Sequence, residues 1–325
     1  MNKRESGINA LPDLRDVSTP FLILHIIGGH VGLPILVSIF VLSNRTRRPP
    51  SLVNMCLTWI LFSISHSLMF YGGWQKHRDP PFALCLIQAG LIHAAPPMCL
   101  VAVLAVVLQV YYLFQPPWSS LSFFSRYDVP HWARLAVVLL PPYIVYVVIA
   151  VVTIVVGLHN PDTIVPTLGL YCTINITAFF AIPAFCAIFM IIVFIINIGS
   201  LVQYYRNWQR MKALSSASER RSLNVWIRVF AFNLYAVATL GACVLYFVTP
   251  TSPLPYLIEA ALPLVALLLF GSQKDILRRL IFCRRRGGTS DERDYGGGWS
   301  VRSSASHQTS TTIEIVVDSE RGTNG

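Results

Sequence analysis

The sequence predicts an all-α integral membrane protein, a seven-helix bundle, on three observations. Of its 325 residues 54% are hydrophobic, only 12% are charged, and the apolar residues fall in continuous runs rather than alternating ten-residue segments. Ordinary globular chains carry about 25% charge, and a folded soluble protein still needs a polar exterior. At a mean hydropathy of +0.58, no soluble fold of this length could hide so much apolar surface. A soluble enzyme, a nucleic-acid module and a disordered scaffold are excluded, and the lipid bilayer is the first partner expected. A span takes roughly 20 apolar residues to cross about 30 Å of hydrocarbon, with its backbone groups bonded in a helix or closed barrel. Continuous runs select helices.

The runs lie at about residues 20–43, 52–71, 82–114, 131–158, 179–205, 223–248 and 253–270. The first lies too far from Met1, is too long and has too poor a cleavage site for a secretory signal, so it reads as a mature helix. Orientation follows from the basic residues, because short loops rich in Lys and Arg stay in the cytosol. The N-terminal segment and the loops after helices two, four and six hold 5 of the 25, and the alternate loops and tail hold the other 20. Residues 1–19 are therefore a short extracellular N-terminus and 20–270 the transmembrane domain of a multi-pass plasma-membrane protein, with its C-terminus cytosolic. Residues 271–286 carry Ile276, Leu277, Leu280 and Ile281 at helical spacing opposite Lys274 and Arg278, the pattern of a short amphipathic helix in the headgroup plane. Cys283, followed by Arg284, Arg285 and Arg286, is a candidate palmitoylation site or an unmodified thiol. The tail, 287–325, is Gly-, Ser- and Thr-rich and reads as disordered.

Seven cysteines sit mostly within helices, where a cysteine is usually a small buried hydrophobe. Cys85 at the outer start of helix three and Cys172 in the loop after helix four both fall on the oxidising side, where a disulfide would tie that loop over the bundle mouth. Asn175 opens a glycosylation sequon on the same side; the sequon at Asn44 lies on the cytosolic side and stays bare.

Charges inside spans are costly and default to functional roles. Glu259 near the outer end of helix seven is the clear case, and His25, His30, His66, His93 and Gln88 join it on helices one to three. His25, His66, Gln88 and Glu259 fall in the outer half, with His30 and His93 nearer the middle. His25, His66, Gln88, His93 and Glu259 are the candidate ligand-binding set of a cavity open to the outside, although a lone intramembrane histidine is often bonded to a neighbouring carbonyl. The inventory argues against an enzyme: no span holds an Asp or an HxxxH pair, so no metal centre is expected. No lysine (Lys3, Lys76, Lys212, Lys274) lies in a span to carry a Schiff base. No cofactor is expected. Pro96–Pro97 and Pro141–Pro142 are expected to break helices three and four, as in transporters but also in kinked receptors. At the cytosolic ends of helices five and six, Arg206, Arg210, Lys212, Arg220, Arg221 and Arg228 with interleaved aromatics could hold a partner helix or anchor to anionic lipid.

Three stretches carry a resemblance: NRTRRPPSLVNMCLTWILFSISHSL at residues 44–68, LCLIQAG at 84–90 and FGSQKDILR at 270–278. Together they resemble the orphan seven-helix receptor-like proteins of basidiomycete-type fungi and, more loosely, the a-factor-class pheromone receptors, over most of residues 20–283. The resemblance implies a G-protein-coupled receptor for an unidentified extracellular ligand, with the six basic residues contacting a heterotrimeric G protein. Helix three ends in LQVYYLF without the Asp-Arg-Tyr of rhodopsin-like receptors, and helix seven reads LPLVALLLF without their Asn-Pro-x-x-Tyr, so coupling rests on resemblance and topology. A secondary transporter or channel using the same polar cavity is the alternative, and a purely structural membrane protein a third reading.

Overall fold

The computed structural model describes residues 15–42, 49–75, 80–113, 131–167, 170–213, 227–239, 241 and 253–272. Six helices among them are long and apolar enough to cross a bilayer, and a seventh is shorter. Helix α1 runs as Arg15–His25, a π-helical stretch Ile26–Gly32 and Leu33–Leu42; α2 is Pro50–Tyr71 and α3 is Phe82–Leu113. Helix α4 has two parts, His131–Leu139 and Pro141–His159. Strands β1 (Ile164–Thr167) and β2 (Tyr171–Ile174) form an antiparallel hairpin that pairs Pro166 with Cys172. Helix α5 is Ala181–Ala213, α6 is Ile227–Thr239, and α7 comprises Leu254–Ala260 and Leu262–Gly271. The seventh helix α6 completes an all-α bundle of seven, with the hairpin at one end.

Helix α3 is the axis, packing against α2, α4, α5 and both strands. Small buried residues, Ala94, Ala95 and Ala102, line it and let neighbouring backbones close in, the usual device where lipid removes the hydrophobic drive between helices. The core runs from Leu33 and Phe40 on α1 through Met55 and Phe62 on α2 to Phe232 on α6 and Phe270 on α7. Valines 147, 148, 151, 152 and 155 of α4 and isoleucines 188, 191, 192 and 195 of α5 are exposed. Such aliphatic stripes are stable only against lipid tails.

One of the two expected helix interruptions is absent and the other is present. Helix α3 continues through Pro96–Pro97, because neighbours in a bundle can satisfy the carbonyls a proline strands. Helix α4 does restart at Pro141–Pro142, with both prolines in its first turn, where a missing N–H costs nothing. Helix α7 is interrupted at Ala261, and Pro263 sits at the start of its second part. Helix α1 begins at Arg15, ahead of the expected residue 20, since Val17 packs against the cluster that holds Phe21 and Tyr256. The amphipathic segment and Cys283, the tail, Arg220 and Arg221 lie outside the described residues.

Polar ties cross the apolar core. Tyr143 on α4 donates to Asn54 Oδ1 on α2 at 2.7 Å, and Asn54 Nδ2 donates to the Leu139 carbonyl at the α4 interruption, 3.2 Å. Ser65 Oγ and Tyr146 Oη bond at 2.9 Å. At the end away from the hairpin, Ser51 Oγ bonds Gln109, and Gln203 Nε2 donates to Tyr111 Oη at 3.3 Å.

Candidate ligand cavity beneath the hairpin

Five helices, α2, α3, α5, α6 and α7, enclose a cavity of about 400 Å³ that opens beneath β2. The size and character are those of a small-molecule site, mostly apolar with few polar groups. Its far end is built from Trp59, Phe62, Cys99, Val103, Phe232 and Leu262, and Tyr171 and Thr173 of β2 stand at its mouth.

The hairpin is held over this mouth by three ties. Cys85 of α3 and Cys172 of β2 are joined in a disulfide with Cα atoms 5.0 Å apart. Gln88, one turn along α3, accepts the Cys172 N–H at 3.0 Å, and its amide donates to the Ser65 and His66 carbonyls of α2 at 3.3 and 3.4 Å. Thr173 Oγ1 meets His93 Nε2 at 3.1 Å. A short strand pair alone is marginal, and these bonds fix its register over the helices.

Of the five residues expected to bind ligand, the structure brings His66, His93 and Glu259 to the cavity wall. His25 and Gln88 do not line it. Gln88 is fully buried and spends both amide atoms on the hairpin and α2. His25, 0% exposed, lies behind His66 with its ring stacked on that of His66 at 5.1 Å and 14°. It is boxed by Phe21 at 4.7 Å and Phe62 at 5.9 Å. Helix α1 therefore backs the wall rather than forming it, because its His25 face packs on α2 and α7. His30 turns inward on its own helix, its Nδ1 donating to the His25 carbonyl at 3.1 Å within the π-helical stretch.

His66 Nδ1 donates to the Phe62 carbonyl at 2.9 Å, which leaves Nε2 turned toward Glu259 Oε1 at 3.9 Å. A neutral ring with its proton on Nδ1 presents a lone pair on Nε2. Glu259 is therefore the polar group nearest that edge of the ring. Glu259 is 28% exposed in a cavity that is mostly apolar. Tyr235 Oη on α6 donates to the Ile258 carbonyl at 3.0 Å, fixing the turn of α7 that presents Glu259 just ahead of the interruption at Ala261.

Two wall residues were not singled out from sequence, Trp59 and Asn233. The signal for Asn233 was present: it is a lone amide in the apolar run Val229–Val237 of α6. Trp59 had none, since a tryptophan in a span reads as apolar bulk.

The basic residues divide. Arg206 is exposed on the last turns of α5, and Arg210 and Lys212 follow on the same helix. Arg228 is instead engaged: its guanidinium bonds the Leu269 carbonyl and donates to Ser272 Oγ at 2.7 Å, joining α6 to the end of α7. A cation there meets the unpaired carbonyls of a helix C-terminus. Asn175 is exposed beside the hairpin, its backbone N–H bonded to the Thr163 carbonyl at 2.8 Å. Among the described residues no group of three or more His, Cys, Asp or Glu side chains could hold a metal.

No protein-family model matches the sequence, and no curated protein does. Among solved structures, the chain is similar to the crystal structure of squid rhodopsin, with a TM-score of 0.56 at 15% identity over 82% of this chain and 79% of that one. At that identity the likeness is one of fold.

Proposed function

We propose that this chain is a plasma-membrane receptor whose ligand sits in the cavity beneath the hairpin and whose opposite end, at α5 and α6, engages a heterotrimeric G protein. The cavity carries this reading: about 400 Å³ of mostly apolar space walled by five helices at once. A ligand touching five helices acts by binding two arrangements of them unequally. The basic residues, 20 of 25 on one set of loops and the tail, put the hairpin end outside and Arg206, Arg210, Lys212, Arg220 and Arg221 at the cytosolic face. On this topology Asn175 is open to glycosylation and Cys283 to palmitoylation.

The test is guanine-nucleotide exchange by purified G-protein heterotrimers on sealed vesicles carrying the chain, screened against a ligand library, with solute flux read in parallel. Exchange that depends on a ligand supports the receptor. Flux without exchange replaces it with a transporter, which the interruption of α7 beside Glu259 favours. Neutralising Arg206, Arg210, Lys212, Arg220 and Arg221 together should weaken exchange while leaving ligand affinity without G protein unchanged. Glu259→Gln and His66→Ala should each cut ligand potency about tenfold, the loss of one good polar contact. Unchanged output in both would leave a structural membrane protein.

A further inference from the structure

We propose that the cavity takes a neutral, mostly apolar molecule that leads with one hydrogen-bonding group, an amide or hydroxyl, and that Asn233 and Trp59 bind this group. The inference rests on the cavity being the ligand site and adds the chemistry of what enters it.

Asn233 is 1% exposed, lines the cavity, and neither its amide nitrogen nor its oxygen has a partner among the described residues. Its counterparts show how unusual this is. Asn197 on α5 curls back to the Val193 carbonyl at 2.9 Å, and Asn54 on α2 bridges to α4. Asn233 does neither. A buried amide without partners is costly, more so in a membrane interior. Trp59, 5% exposed, repeats the pattern: its indole N–H has no partner among the described residues. The ring is set edge-on to Phe62 at 5.1 Å and to Phe232 at 5.5 Å. Trp59, Phe232 and Asn233 all line the one cavity, the last two consecutive on α6.

An amide offers two donors and two acceptor lone pairs, and indole one donor. A primary amide or hydroxyl both donates and accepts and so answers this set; a hydrocarbon leaves it unanswered. Among the described residues the lining contains no Lys or Arg and a single acid, Glu259, so a carboxylate entering would find no permanent cation to pair with. A site that hydrogen-bonds its ligand rejects analogues lacking the group far more strongly than an apolar pocket does.

The experiment titrates decanamide, 1-decanol, decane and sodium decanoate into the full-length chain in lipid nanodiscs, with empty nanodiscs as blank, and follows the thermal-unfolding midpoint. Decanamide and 1-decanol should raise the midpoint more than decane or decanoate. Asn233→Leu, close in volume, should abolish that preference, and Trp59→Phe should weaken apparent decanamide affinity about tenfold. Without any probe, Asn233→Leu should raise the midpoint, because it removes an unpaired buried amide; a structural asparagine would give a lower one. Equal stabilisation by decane or decanoate, a preference that survives Asn233→Leu, or a lower midpoint for ligand-free Asn233→Leu overturns the proposal. Amide-selective binding with no nucleotide exchange sustains this site and removes the signalling role. Exchange driven by a ligand without Asn233-dependent selectivity does the reverse.

Discussion

Arg228 and Glu259 were both marked by charge near apolar helices, yet the structure gives them different work. Arg228 closes α6 onto the last carbonyls of α7. Arg228→Met keeps the aliphatic stem and removes the donors, and should cost about 1.5–3 kcal/mol, the range for hydrogen bonds to a charged group. Adding Ser272→Ala to that variant should cost almost nothing more, a non-additivity that a double-mutant cycle on unfolding midpoints measures. Glu259 Oε1 faces His66 Nε2 at 3.9 Å. Glu259→Gln supplies a permanent N–H toward Nε2 and should keep the fold to within about 1 kcal/mol, so its loss of ligand response can be read apart from misfolding. The intramembrane acid and the histidines on α2 and α3 were legible because charge in a span is rare. Their pairing was not, since it depends on the turn at which α7 is interrupted. His25 and Gln88 share the polarity of the wall residues and differ only in which way the helix face is turned, which an isolated sequence leaves open.

Helix α1 shows what an element can store that its hydropathy does not reveal. Its apolar run fixed its existence, whereas the π-helical stretch Ile26–Gly32 depends on contacts with α7. A Cβ added at Gly28 would lie 2.5 Å from the Leu264 nitrogen and 2.9 Å from the Pro263 carbonyl carbon, so α1 and the second part of α7 touch backbone to backbone. Backbone cannot yield as a side chain can. Gly28→Ala should destabilise the bundle by about 1–3 kcal/mol, the usual cost of overpacking, whereas Gly241→Ala, whose Cβ would meet nothing within 4 Å among the described residues, should be neutral or stabilising by up to about 1 kcal/mol. Thermal unfolding of the two variants side by side checks this. The prolines teach the same lesson: Pro96–Pro97 and Pro141–Pro142 look alike in sequence, and only the second pair coincides with an interruption.

The bundle as a whole was largely legible, because lipid permits so few alternatives to apolar helices and each takes about 20 residues. The disulfide was legible from which side of the membrane each cysteine reached. It closes a loop of sequence separation 87, for which chain entropy gives up to about 4.6 kcal/mol, less whatever the bilayer already confines. Cys172→Ser should therefore lower the unfolding midpoint and weaken ligand retention together; a lowered midpoint with unchanged ligand off-rate would show that the hairpin does not govern the mouth. The bonds that hold the hairpin have one more effect. Gln88 and the disulfide lock hairpin, α2 and α3 into one body, and Asn54 and Ser65 bolt α4 to it, while α6 and α7 are joined to each other through Tyr235 and Arg228. The cavity thus lies between two separately bonded jaws, like a vice. Ligands of different girth should displace the α6–α7 side and leave the hairpin side where it is.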